Sequence, residues 1–261
     1  MPVRDRRSGA ALANPVAATV AGPFAGPIAS GSDRAGVLTL VGTPIGNLGD
    51  LSDGALAALR EAEIVCAEDT RRSRKLLSAY DLHPRTLVSV RAHNEQQQAD
   101  RVIGWLAAGR RVAYVTDAGM PVLSDPGQRL VARVAAAGAR VTVAPGPDAA
   151  TAALLIAGWR ASQWCFEGFL PVRGGGRARR LAEVAATEPA VVLFEAPHRL
   201  LRTLDDLAAA VGAERPVAVV NDLTKRYERV WRGRLGEVAA ELRDAPVRGE
   251  YVIVLAPTRP A

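Results

Sequence analysis

Cysteine is almost absent from this 261-residue chain. Its two thiols, Cys66 and Cys165, stand far apart, each in an apolar, strand-like run. That fits buried, idle thiols in a reducing cytoplasm better than a disulfide or a metal site. Lysine is equally scarce: of 33 basic residues only Lys75 and Lys225 are not arginine. The net charge of +6 and pI near 10.0 suit a polyanionic partner. Arginine bias also follows genome composition, so charge alone does not establish RNA binding. No apolar run reaches the roughly 18 residues of a membrane span, which argues against a membrane-embedded chain. Internal repeats and coiled-coil heptads are missing too.

Residues 1–35 lack any helical or strand period and are dominated by Ala, Gly, Pro and Ser. Arg6-Arg7 ahead of the uncharged stretch 10–32 resembles an export signal, but Pro15, Pro23 and Pro27 interrupt the apolar region such a signal needs. The segment reads as a disordered tail.

From Val37 onward, short β-branched runs alternate with amphipathic stretches. Strands are expected at Val37–Val41, Ile64–Ala67, Thr86–Val90, Arg111–Thr116 and Val141–Ala144, with helices near Ser52–Glu61, Arg71–Tyr80, Glu95–Ala108 and Gln128–Ala137. That rhythm predicts a parallel sheet. Pro145-Gly146-Pro147 breaks it, and a helix at Ala149–Ala157 leads into a second half. Strands there are expected at Trp164–Glu167, Val191–Glu195, Pro216–Val220, Tyr227–Arg232 and Tyr251–Leu255. Two pairs leave no room for a crossover helix, which predicts a mixed sheet. The fold class is α/β, with a first domain over 36–147 and a second over 148–261.

In an open parallel sheet, ligands lie beyond the carboxyl ends of the strands. After the first strand, Gly42, Gly46 and Gly49 allow close backbone approach. Glu68-Asp69 after the second strand suggests a nicotinamide site, but G-x-x-x-G with an internal Pro44 is not the G-x-G-x-x-G turn. Arg71, Arg72, Arg74 and Lys75 open a helix where positive charge opposes the dipole, which suits either an anionic partner or a solvated face balanced by Glu68 and Asp69. The fourth strand runs into the turn-rich stretch 117–127. Asp125-Pro126 reads as a helix N-cap followed by Pro at the first helical position, and Asp148 as another N-cap. Asp117 needs a partner, and a ligand would serve. The loop 173–180 reads as flexible and basic, able to follow a phosphate backbone or to be a mobile surface connection. Glu195, His198, Lys225 and Glu228 follow strands and are candidates for substrate contact and proton transfer.

Taken in order, GTPIGNLGDLS, AEDTRRSRKLL, DAGMPVLSDPG, PGPDA, FEGFLP, FEAPHR, DLTKRYE and RGEYVIVLAP resemble the ribosomal RNA small-subunit methyltransferase I family of the tetrapyrrole methylase superfamily. The resemblance covers nearly everything from Val37 to Ala256 and implies two α/β domains in a homodimer, with the methyl donor between the domains. The implied activity is transfer of a methyl group from S-adenosylmethionine to the ribose 2′-hydroxyl of a cytidine in 16S rRNA near the decoding site.

By motif position the donor would meet Thr43, Pro44, Gly46, Asp117, Gly119, Met120, Pro121, Val122, Leu123, Ser124, Thr151, Leu223 and Thr224, many through backbone. RNA phosphates would meet Arg71, Arg72, Arg74, Lys75, Arg177, Arg179, Arg180 and Arg199. Three departures stand out. Met120 replaces the usual Thr, Asp148 the usual Ser, and Glu228-Arg229 keeps only the first of two acids. Some relatives also carry a small helical domain after the last strand, whereas this sequence ends at Ala261. Two other readings stay open: the same fold acting on a tetrapyrrole precursor, and a non-catalytic ribosome-assembly factor.

Overall fold

The apolar runs of the first half form five parallel strands in the computed structural model, which describes residues 36–122 and 124–258. They are β1 (Val37–Val41), β2 (Ile64–Ala67), β3 (Thr86–Ser89), β4 (Arg111–Val115) and β5 (Arg140–Ala144), in the order β3-β2-β4-β1-β5. Successive residues of a strand face opposite ways. On β4, Val112 and Tyr114 therefore pack with α3 (Glu95–Ala107) and α4 (Gln128–Ala136). Ala113 and Val115 turn the other way, towards α1 (Asp53–Glu61) and α2 (Thr70–Ala79). The sheet is covered on both faces, as continuous apolar parallel strands require.

A second sheet has the order β6-β7-β10-β8-β9. Its strands are β6 (Trp164–Phe169), β7 (Ala190–Glu195), β8 (Pro216–Asn221), β9 (Arg229–Arg234) and β10 (Tyr251–Leu255). β6 and β7 are parallel and the other neighbours antiparallel, giving the expected mixed sheet. Fully buried β10 forms its centre. One face carries α5 (Ala149–Ala157), where Ala150, Ala153 and Ala157 repeat at helical spacing and let the helix approach closely. The other carries α6 (Gly175–Ala186), α7 (Leu200–Val211) and α8 (Leu235–Arg243), whose leucines and valines pack with Leu193, Ile253 and Leu255.

Several expectations need correction. The basic stretch 173–180 is not a flexible loop: α6 begins at Gly175, and Gly174 at φ 78° occupies the N-cap position. β9 begins at Arg229 rather than Tyr227, because residues 222–228 fold into a turn in which the Thr224 N–H donates to Glu228 Oε2 at 2.7 Å. Asp125 does not cap α4. Gly127, at φ 122°, stands at the N-cap position, and the buried Glu95 reaches over from α3 to accept from the Gly127 and Leu130 N–H groups at 3.1 and 2.9 Å. Asp148 does cap α5, accepting from the Ala150 and Thr151 N–H groups at 3.3 and 3.0 Å. The tail expectation for residues 1–35 lies outside the described residues, as does the donor-contact expectation for Leu123. Among the described residues no helix is long and apolar enough to cross a membrane.

Candidate active site

The turns that follow β1, β4 and β5 converge at the carboxyl end of the first sheet, where topology favours ligand binding. Thr43 and Gly119 exchange backbone hydrogen bonds of 2.9 and 3.0 Å in an isolated antiparallel bridge, stapling the β1 turn to the β4 turn. Gly119 sits at φ +77°, which glycine adopts without a Cβ penalty. A Cβ on Gly42 would lie 2.6 Å from Gly146 N and 2.7 Å from Met120 Sδ. The three turns thus touch backbone to backbone, and Met120 Sδ accepts the Gly146 N–H at 3.3 Å. The side chain that replaces the expected threonine holds two turns together.

The second half meets this end at two glycines. A Cβ on Gly46 would come within 2.8 Å of Leu223 O, Lys225 Cγ and Thr224 Oγ1. A Cβ on Gly168 would lie 2.5 Å from Ser124 Oγ. Between these contacts opens a cleft of about 340 Å³, within the range of small-molecule sites. The first half supplies Ile45, Ala118, Gly119, Met120, Ser124 and Asp125. The second supplies α5 through Asp148 and Ala149, and the strand ends through Phe169, Phe194–Pro197, Val220, Leu223 and Glu250–Val252. Phe194 stands edge-on to Phe166 and Phe169, with centroids 4.9 and 5.8 Å away, and stiffens the apolar wall.

Of the residues expected to contact a donor, Gly119, Met120, Ser124 and Leu223 line the cleft. Pro44, Gly46, Pro121, Val122 and Thr224 lie in the surrounding turns and Thr151 in the first turn of α5, none of them lining it. Thr43 is only 1% exposed, and its hydroxyl faces Thr116 O and Gly119 O at 3.4 Å. Its part is structural. Asp117 finds its partners within the protein: Arg72 Nη1 at 3.1 Å and the Asp69 N–H at 3.2 Å. Val122 and Ser124, at φ 79° and 64°, and Asp222 and Thr224, at φ 50° and 63°, place costly left-handed backbone on both rims.

The four candidates for proton transfer are mostly engaged elsewhere. The Glu195 carboxylate is buried and accepts from the Ala196 N–H at 2.9 Å and the Thr203 hydroxyl at 2.6 Å, with Arg199 Nε 3.1 Å away. Lys225 Nζ donates to Asp222 Oδ1 at 2.7 Å and Glu250 Oε2 at 2.8 Å. Burial pushes this ammonium down, but the two carboxylates outweigh it and hold the group above its ordinary value, charged and unfit as a base. Glu228 caps the 222–228 turn. His198 is exposed, on the 3-10 turn Pro197–Arg199.

Among the arginines, Arg177 is corrected outright. It is 4% exposed, with Nε on Asp206 at 2.7 Å, Nη1 on Pro171 O at 3.0 Å and Nη2 on the Thr203 hydroxyl at 2.9 Å. Arg199 is likewise drawn inward to Glu195 and Leu170 O. Arg180 pairs with Glu167 and Glu183, and Arg71 with Asp69. Arg74 and Lys75 are exposed and outside the ion pairs among the described residues, and Arg179 has only a 4.0 Å contact to Glu183.

Asp125 was missed as a cleft group. Its carboxyl is pushed up to about 6 by burial, with the Glu68 and Asp117 carboxylates adding and the Thr116 hydroxyl offsetting part of the rise. Burial raises Glu68 too, with Asp117 adding. The Cys66 thiol is pushed up to about 12 by burial, which makes it inert.

The tetrapyrrole (corrin/porphyrin) methylase model matches residues 37–239. The chain is 43% identical over 233 residues to the ribosomal RNA small subunit methyltransferase I of Neisseria meningitidis serogroup B, covering 88% of this chain and 79% of that protein. It is 40% identical over 220 residues to the protein of the same name from Thermotoga maritima, covering 84% and 98%. Cobalt precorrin-4 methyltransferase superposes with a TM-score of 0.64 at 17% identity over 85% of this chain and 94% of that one. Thermus thermophilus uroporphyrin-III C-methyl transferase, complexed with S-adenyl homocysteine, gives 0.59 at 23% over 84% and 96%; both show the fold. The chain belongs to the ribosomal RNA small subunit methyltransferase I family, within the tetrapyrrole methylases.

Proposed function

We propose that this protein transfers a methyl group from S-adenosylmethionine to the ribose 2′-hydroxyl of a cytidine in 16S rRNA near the decoding site. The observation that carries this reading is the cleft between the two sheets, at the carboxyl ends of β1 and β4, in a chain of this family. In the proposed division, residues 36–147 and 148–261 are two domains that each build one wall. The cleft fits the donor: Gly119 lets backbone approach, and Phe169 and Phe194 offer apolar surface. When bound, the donor supplies an electrophilic methyl. The protein's task is to align it with the acceptor and exclude water.

RNA phosphates are the proposed partners of Arg74, Lys75 and Arg179, which keep their charge available. A homodimer in the cytoplasm completes the proposal. Val143, 52% exposed on edge strand β5, and Leu155, 76% exposed on α5, offer apolar surface to a second copy.

The purified protein is expected to place labelled methyl on one cytidine ribose of isolated small ribosomal subunits, mapped by nuclease digestion. No incorporation would sink the reading. Replacing Arg74 and Lys75 together with alanine is expected to weaken subunit binding and flatten the log–log salt dependence by roughly 1.5, from two lost phosphate contacts. An unchanged slope would move the RNA elsewhere.

A further inference from the structure

Four carboxylates line the cleft: Asp125, Asp148, Glu195 and Glu250. Three are committed. Asp148 caps α5, Glu195 is closed in by Arg199, Thr203 and the Ala196 N–H, and Glu250 holds Lys225. Asp125 alone meets neither a cation nor a backbone amide among the described residues. The chain behind it is nevertheless well fixed. The Tyr114 hydroxyl donates to Pro126 O at 2.7 Å, the Gly127 N–H is held by Glu95, and Ser124 packs on Gly168. A carboxylate whose one polar neighbour among the described residues is the Thr116 hydroxyl, on an anchored turn at the cleft wall, is placed to act on whatever enters.

Building on the methyl-transfer reading, we propose that Asp125 is the general base that takes the proton from the acceptor hydroxyl. As the 2′-oxygen forms its bond to the methyl carbon, the carbon–sulfur bond of the donor breaks and its electron pair stays on sulfur. The O–H proton passes to the Asp125 carboxylate, which later releases it to solvent. No metal or redox partner is needed for the balance.

The charged groups around Asp125 support the assignment. Glu68 just after β2 and Asp117 after β4 raise its basicity, and Arg72 on α2 offsets part of Asp117. Tyr114 on β4 lies behind the turn and is itself driven above its ordinary value by burial first and by Glu95 and Glu68 next, so it stays protonated. Across the cleft, Glu195 with Arg199, Glu250 with Lys225, and Asp148 on α5 are internally matched. A carboxyl tuned upward is ionised at neutral pH yet a better proton acceptor than an ordinary one.

The test compares Asp125→Asn and Asp125→Glu with the wild-type protein on small ribosomal subunits at saturating donor. Donor affinity is measured calorimetrically without RNA, and the carboxyl is titrated by carbon-13 NMR in the donor-free protein. The Asn variant is expected to lose about 100-fold or more in rate, with donor affinity nearly unchanged and the Glu variant recovering part of the loss. The wild-type carboxyl is expected to titrate near 6. The wild-type rate should climb with pH on one ionisation at or below that value, since a cationic donor lowers a nearby carboxyl. The Asn variant should lack that climb.

An Asn variant that keeps the wild-type rate, or loses it wholly through donor affinity, overturns the inference. Should that variant fail to fold, a wild-type carboxyl titrating in the ordinary range, or a rate flat through its titration, overturns it instead. A wild-type protein that methylates no subunit defeats the methyl-transfer reading, an outcome distinct from both.

Discussion

Arg177→Ala is expected to cost about 3 kcal/mol of folding stability, near the lower end for breaking a buried ion pair by removing one partner. The guanidinium ties α6 to two other pieces of the second half: Pro171 after β6, and Thr203 and Asp206 on α7. Thr203 in turn donates to Glu195, the last residue of β7. Truncation leaves a buried carbonyl and a carboxylate without their donor. Asp206 is one-third exposed and keeps a 3.8 Å contact to Arg202, which is why the upper end of the range is not expected. Urea unfolding measures the loss. Subunit binding below the transition should retain its salt slope, whereas Arg179→Ala, changing a side chain 80% exposed, should flatten it. An Arg177→Ala protein with wild-type stability and a flatter slope would return this residue to the RNA surface.

Arg177 also shows where the sequence misleads. Three glycines and four arginines between 173 and 180 look like a mobile basic connection, and composition says nothing about which way a charge points. The informative signal was periodic. Arg177, Leu181 and Val184 recur at helical spacing, so an arginine on that face lies under the helix with the two aliphatics. Asp125 failed differently. Its Pro126 neighbour fits a helix start, but Glu95, distant in sequence, took over the capping, and only tertiary structure shows such a substitution. The parallel strands were legible because each β-branched run is bounded by turns, and the Gly119–Met120 part of the cleft because turn chemistry is local. Phe169 and Phe194 were named only inside motifs, and Tyr251 otherwise only as the start of a strand. Their meeting on one wall depends on the register of β7 against β6 and β10, which no local pattern encodes.

Gly42→Ala is expected to weaken donor binding at least about tenfold and to destabilise the protein by roughly 1–3 kcal/mol, the usual penalty of overpacking. The cause is space, since the added methyl would stand 2.6 and 2.7 Å from the N and Cα of Gly146. Met120 could swing away, but the Gly146 backbone is fixed by β5 before it and by the Asp148 cap of α5 after it. The β1 turn must therefore move outward. It would carry Thr43 from its bridge to Gly119 and shift Ile45 and Met120, which line the cleft. Gly104→Ala serves as the control. Gly104 is exposed within α3, and nothing lies within 4 Å of an added Cβ, so helix propensity alone acts and should stabilise by about 1 kcal/mol. Calorimetry with the donor and thermal unfolding of both variants separate the two effects. Equal donor affinity in Gly42→Ala and wild type would mean that the turn yields without disturbing the cleft, and that the contact between Gly42 and Gly146 does not set its shape.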